Sequence, residues 1–500
     1  MSESTLTQSD KISSVREYVE EAKSNPRLRR KAAEYISDTI DYYGKEKVFE
    51  GLYGTVWEKI DELIDIIDDA AEDGALKDRG IMLVGPPGSG KSEVVDKLKY
   101  AIESYSLTDE GEIYAVKGCR VHHNPLSHVS EEDREELLKD GLKWDKFENA
   151  CPRCKKYGNL YDMEVERIYL SEQGKIGIGK HHSTDTKTED VTLLIGDVDP
   201  KGVEKTGSFA DPESHDFMGK LIYANRGLMD WTEMLKSKKK IIPILNELIQ
   251  SQIVDLPRLE PVYIDTLVLG HTNVPEYEEY ADDPYFDATR SRFHKIYWPY
   301  NLDPEAEMKI YAVVLDRKEK SRERKSGKKE KIHANPDVLE LAANFTVQTR
   351  ENEVWEGVKG MDGVDIRVMQ NIISLSVGKE DNCLNFNNFV ARFEPEFDKA
   401  YNQEKKDKWL PYFEEEVEKY YERCKGKLSE VIAKISDESK EMGEELYQKY
   451  IEEVKKWSSS KNYLGDDGLP VDVRKFYGIE YAGDEEERDN AMGDVNLNFL

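Results

Sequence analysis

The run "IMLVGPPGSGKSEVV" at residues 81–95 constrains this chain more than any other stretch. Four apolar residues read as a buried strand, a glycine-rich turn follows, and "KSEVVDKLKYAIESY" then carries helical spacing. The turn is Gly85-Pro86-Pro87-Gly88-Ser89-Gly90-Lys91-Ser92, which meets every fixed position of the phosphate-loop pattern. Its glycines let successive backbone N–H groups turn inward, and the helix starting near Lys91 adds its positive end. In this setting Lys91 reaches the β and γ phosphates and the Ser92 hydroxyl ligates Mg²⁺. The expected cofactors are ATP and Mg²⁺. A chance glycine-rich turn would need strand, motif and helix to coincide.

The chain has 500 residues, too many for one ordinary core. Charged residues make up 35% and hydrophobic residues 38%, a composition that folds in water. No stretch nears the roughly 18 unbroken apolar residues of a membrane span. The first residues, "MSESTLTQSDKISSV", lack a basic start and apolar run, which argues against a secretory signal. Five cysteines make no disulfide scaffold. The expectation is a cytoplasmic protein with no membrane partner. A formal net charge of −30 repels nucleic acid. One basic stretch stands out, "RKEKSRERKSGKKEK" at 317–331, with nine basic and three acidic residues; it reads as an exposed loop or frayed helix.

Periodicity divides the rest. Residues 1–47 form a helical lead-in, with Val15, Tyr18, Val19, Ile36 and Ile40 on an apolar face. A core at 48–301 opens with an amphipathic helix through Val56, Ile60, Leu63 and Ile67, then alternates short apolar strands with helices, the layout of a parallel sheet. Residues 302–380 read as a helical lid, and 381–500 as a helical C-terminal extension with an acidic, mobile tail. The fold class is α/β: an αβα phosphate-loop NTPase core with lid and extension.

Hydrolysis needs an acid at a neighbouring strand's end. In "ANRGLMDWTEMLK", 224–236, Leu228 and Met229 are strand interior. The usual adjacent pair of acids is missing, and Thr232 stands where the first would be. Glu233 is therefore the candidate water-orienting base, with Asp230 a helper to Mg²⁺; either could be an ordinary surface acid. The strand "TLVLGHTN" ends at Asn273, suited to hold the attacking water or the γ-phosphate. Arg290 and Arg292 follow, candidates for an arginine reaching a neighbouring subunit's nucleotide. Arg367, near a helix start, can close over the γ-phosphate from the lid.

These residues, in this order, resemble the PrkA family, described as serine protein kinases whose N-terminal part is an AAA+ ATPase module. More specific than the phosphate loop are "GIGKHHSTDTKTEDVTLLIGDVD" at 177–199, "LGHTNVPEY" at 269–277, "SRFHKIYWPYNLDPEAEMKIY" at 291–311 and "MDGVDIRVMQNI" at 361–372. The resemblance implies that Glu233 and Asp230 belong to a departed acidic motif, Asn273 is the first sensor, Arg292 rather than Arg290 is the finger, and Arg367 is the second sensor. It places Gly54 on the adenine side and 193–209 in a loop facing a pore or target. It implies self-association into a ring, often a hexamer, and a protein substrate. His181 and His182 in the first of these stretches read as a surface pair.

The family's C-terminal part is compared to protein kinases, and here the last section resembles it only loosely. No Val-Ala-Ile-Lys, His-Arg-Asp or Asp-Phe-Gly motif is present. No Gly-x-Ser-x-Gly elbow or His-Glu-x-x-His motif is present either, while a Ser–Lys peptidase dyad has no spacing by which to recognise it. The residues read as an ATPase acting on a protein. The alternatives are a serine/threonine kinase transferring the γ-phosphate to protein, and a nucleotide-gated scaffold with weak turnover.

Cys119-x-x-His122 and Cys151-x-x-Cys154 make a two-by-two set about thirty residues apart, suited to structural Zn²⁺ in an insert around 115–160. His123 or His128 could replace His122. The alternatives are a redox dithiol at Cys151 and Cys154 or unliganded thiols.

Overall fold

The computed structural model describes residues 12–129, 149–157, 160–183, 190–236, 241–283, 286–327, 331–378 and 382–438. The acidic tail lies outside them. The chain divides into two compact units. The first holds Met1–Leu52, Trp57–Pro86 and Gly90–Trp298; the second holds Tyr53–Val56, Pro87–Ser89 and Pro299–Leu500.

Helices α1 (Val15–Ser24) and α2 (Ala32–Tyr43) open the chain. Ser14 caps α1 by accepting from the Glu17 N–H, and Val15, Tyr18, Val19 and Ala22 form its buried stripe. After α3 (Val56–Ala71) comes β1 (Gly80–Val84), which runs into the glycine turn and α4 (Lys91–Ser106). An excursion follows: β2 (Ile113–Val116), the short α5 (Pro152–Lys156) and β3 (Val165–Ile168), with β2 and β3 antiparallel. The chain then builds β4 (Ile178–His182), β5 (Gly227–Thr232), α6 (Ile242–Ser251), β6 (Thr266–Thr272), α7 (Val274–Asp282) and β7 (Phe293–Tyr297).

Five strands form one sheet in the order β4–β5–β6–β1–β7, and every pairing is parallel. All residues of β1 and β6 are buried, as strands covered on both faces must be, and α2 and α4 pack against β5 and β6. The expected α/β phosphate-loop core is therefore present.

The second unit is mostly helical: α8 (Pro304–Ser326), α9 (Pro336–Glu351), α10 (Ile366–Ser376), α11 (Phe386–Ala400) and α12 (Gln403–Glu438). One apolar core runs through all five, joining Tyr311, Phe345 and Met369 to Phe389, Phe393, Trp409 and Tyr420. Phe393 stacks on Phe413 with centroids 3.6 Å apart, and Phe345 meets both edge-on. Within this core the Arg350 guanidinium lies 3.1 Å from the Glu307 carboxylate, both fully buried, and also donates to the Val364 carbonyl. The basic stretch at 317–331 is not a loop up to Ser326: it is the end of α8, stopped by Gly327 at φ 70°. Arg324 and Lys325 sit in its last turn, where cations offset the helix dipole.

Candidate nucleotide-binding site

The glycine turn leaves β1 at the carboxyl edge of the sheet. A side chain at Gly85 would put its Cβ 1.9 Å from the Trp298 carbonyl oxygen, so only glycine fits. Gly90 precedes α4 at φ 90°, and a Cβ there would meet nothing within 4 Å. No side chain caps α4 at this residue, and a helix start of this kind suits an anion. The Lys91 side chain is buried, and its Nζ donates to the Gly85 and Pro86 carbonyls at 2.8 and 2.7 Å. The ammonium is thus held against the loop that the phosphates would occupy. Ser92, one residue on, is exposed.

The strand register brings the other expected residues of the first unit to the same edge. Val84 pairs with Thr272, and Thr232 pairs with His271. Gly85, Asn273 and Glu233 are the residues that follow those strand ends. Asn273 caps α7 in a reciprocal box with Glu276. Glu233 adopts φ 51°, a left-handed conformation that a residue with a Cβ holds only under local constraint. Its carboxylate lies 2.9 Å from Lys236 and 3.4 Å from the His182 ring, and Lys236 also reaches Glu276 at 3.0 Å. His271 is buried on β6 between these groups, and burial holds its imidazole down at about 4, with Lys91 adding to the shift.

The structure sets Asp230 against a lysine. It is buried inside β5, and its carboxylate accepts from Lys99 of α4 at 2.9 Å. Burial works against the Lys99 charge, but Asp230, Asp96 and Glu172 outweigh it and hold the ammonium protonated. The two histidines of β4 also divide. Strand alternation puts His182 beside Glu233, whereas His181 is buried edge-on against Trp231, so the pair is not a surface pair.

Arg292 precedes β7, and its carbonyl accepts from the N–H of Gly80, the first residue of β1. It therefore stands at the amino edge of the strands, opposite the glycine turn. Its guanidinium reaches Gln250 at 2.9 Å, while Arg290 is turned back onto the Tyr280 and Ala281 carbonyls.

In the second unit, Arg367 lies in the first turn of α10 and pairs with the N-cap residue Asp365 at 2.6 Å. The loop tip Pro87–Ser89 belongs to this unit. A Cβ on Gly88 would lie 2.6 Å from Asp365 Oδ1 and 3.1 Å from Arg367 Nε. Gly54, at φ 80°, leaves room for Asn301, whose Oδ1 a Cβ would strike at 1.9 Å.

The cysteine set gathers in the excursion. The sulfur atoms of Cys119, Cys151 and Cys154 lie within 4.8 Å of one another, and all three residues are buried. The imidazole beside them is His123, with Nδ1 3.7 Å from Cys119 Sγ. Neither histidine joins the three sulfurs within that distance of all of them; His123 is the one that meets Cys119, while His122, placed first by spacing, has φ 54°.

Sequence reasoning missed Lys99 and the Glu307–Arg350 pair, because nothing in their local spacing marks them, and it also missed Lys236. The signal for Lys236 was its place three residues after Glu233 on a turn.

The sequence profile of the PrkA AAA domain matches residues 10–356. The chain belongs to the PrkA family. A second profile, the PrkA serine protein kinase C-terminal domain, matches residues 308–490, so the last section is closer to the family than its residues suggested. Among curated relatives, "ATP-dependent protease PrkA" of Bacillus subtilis (strain 168) is 29% identical over 383 residues, 71% of this chain and 59% of its own length. "Serine/threonine kinase YeaG" of Escherichia coli (strain K12) is 23% identical over 475 residues, 84% of this chain and 70% of its own. The chain thus spans about three fifths of the Bacillus relative. A solved structure of NtrX from Brucella abortus in complex with ADP aligns with a TM-score of 0.33 at 12% identity, over 68% of this chain and 54% of its own. No helix among the described residues is long and apolar enough to cross a membrane.

Proposed function

We propose that this PrkA-family chain binds ATP with Mg²⁺ and hydrolyses it to drive work on a protein partner. The observation that carries this reading is the alignment of Gly85, Asn273 and Glu233 at one edge of the parallel sheet. The residues present fit the nucleotide: an uncapped helix start, an open Gly90, a buried lysine against the loop and an exposed hydroxyl at Ser92. Bound Mg²⁺–ATP would supply the transferable phosphoryl group, with Ser92 holding the metal. Glu233, fixed by Lys236, orients the attacking water, and Asn273 holds its place beside it. Arg292, at the opposite edge from its own phosphate loop, acts on a neighbouring copy, so the working form is a ring. Arg367 senses the γ-phosphate from α10.

A second reading, transfer of the γ-phosphate to serine of a protein, is favoured by the C-terminal kinase-domain match and by the name of the Escherichia coli relative. A phosphate loop serves either acceptor. Incubation with γ-labelled ATP, with and without an acceptor protein, separates the two by product. Free phosphate that disappears in Lys91→Ala supports the ATPase. Label on protein serine with little free phosphate supports the kinase. Undiminished ATP binding in Lys91→Ala overturns both.

A further inference from the structure

The excursion between β2 and β3 gathers three buried cysteines, and the spacing of their side chains is that of a metal centre. Cys119 Sγ lies 4.0 Å from Cys151 Sγ and 3.7 Å from the His123 Nδ1. Four ligands around a tetrahedral zinc, at about 2.3 Å for sulfur and 2.0 Å for nitrogen, sit about 3.8 Å apart for two sulfurs and about 3.5 Å for sulfur and nitrogen. A disulfide would bring two sulfurs to about 2.05 Å, and all three cysteines are free. We propose that Cys119, Cys151, Cys154 and His123 bind one structural Zn²⁺.

The backbone explains why the ligand is His123. The left-handed turn at His122 follows the bond from the His122 N–H to the Cys119 carbonyl, and His123 leaves that turn 99% buried beside the sulfur. On the other side, Cys151 immediately precedes α5 and Cys154 lies one turn into it, so both sulfurs face the same way. All four positions are closed to solvent, as in a structural rather than a catalytic zinc site. Three thiolates and one Zn²⁺ carry a net −1, next to Arg153, Lys155 and Lys156 of α5.

Such a centre fastens the excursion to the sheet. Asn225 donates to the Val121 carbonyl at 2.7 Å, two residues beyond Cys119, and Arg226 donates to the Tyr114 carbonyl on β2. These two residues lead directly into β5, whose last residue, Thr232, is followed by Glu233. The metal thereby steadies the strand that carries the proposed base, without touching the nucleotide.

The full chain, purified reduced, should contain roughly one zinc per molecule by elemental analysis, and Cys154→Ser should lose it. His123→Ala should release zinc to a chromogenic chelator at least about tenfold faster than the parent, and His122→Ala should match the parent. Because cysteine variants can misfold, the unmutated chain is also stripped of metal and titrated with Co²⁺. Tetrahedral visible bands with strong thiolate-to-cobalt charge transfer are expected. Absence of zinc together with a featureless cobalt titration overturns the site. Equal retention in the His122 and His123 variants overturns the fourth ligand.

Discussion

Lys99 of α4 and Asp230 of β5 form a buried ion pair 2.9 Å long, with both side chains at most 5% exposed. Asp96 and Glu172 join the same ammonium at 2.8 and 2.7 Å. The helix that begins at the phosphate loop is thereby tied to the strand that Glu233 follows. Removing one partner leaves the other charge buried without compensation. Lys99→Ala should cost about 3 kcal/mol or more in urea unfolding. If Asp230 instead serves Mg²⁺, Asp230→Asn would raise the Mg²⁺ requirement for turnover while leaving stability unchanged. The ion pair requires the opposite result.

Lys236 holds Glu233 and Glu276 together. Its loss frees the Glu233 carboxylate from one orientation without touching the phosphate loop. Lys236→Ala should lower the turnover number by about tenfold or more with little change in nucleotide affinity, and Lys236→Arg should restore most of it. Glu233→Gln should lower turnover further, by on the order of 10² or more, and still bind ATP. Nucleotide affinity measured by calorimetry, set beside steady-state turnover, separates the two effects.

Arg292 lies at the amino edge of the strands, and Gly85 at the carboxyl edge. In the proposed ring an arginine so placed serves the site of another copy. Arg292→Ala should bind ATP normally and hydrolyse it at least about 10³-fold more slowly. Mixing Arg292→Ala with Lys91→Ala should recover activity, since mixed assemblies contain sites with an intact loop facing an intact arginine. No recovery in mixtures that demonstrably co-assemble would count against the arrangement.

Asp265 is buried and accepts from the Ala32 N–H, and burial pushes its carboxyl up to about 6 although Arg226 and Lys31 pull the other way. An acid whose folded pKa exceeds its unfolded value of 3.8 penalises the folded state once ionised. That penalty is absent below about pH 4 and complete above about pH 6. A gap of two units corresponds to about 3 kcal/mol. Asp265→Asn should therefore gain on the parent by about that much between pH 4 and pH 7, read as the change in their stability difference by urea unfolding.

Much of this protein is written locally. A glycine turn needs φ values near 80–90° at Gly88 and Gly90, and that requirement is visible in the residues themselves. The buried parallel strands announce themselves as apolar runs, and α1 to α4 as 3.6-residue stripes. The same local logic placed Asn273 and Glu233 just past their strands. It failed where a side chain's partner comes from elsewhere in the chain. Lys99 and Asp230 are 131 residues apart, and only the packing of α4 on β5 joins them.

The sequence by itself determined the phosphate loop, the α/β class and the family, because backbone conformation and hydrophobic period are properties of neighbouring residues. Only the tertiary structure decided that His123 and not His122 meets the cysteines, that Asp230 answers to Lys99, and that Lys236 fixes Glu233. Each of those choices depends on the direction a side chain takes from a turn or strand register, which adjacent residues alone do not set.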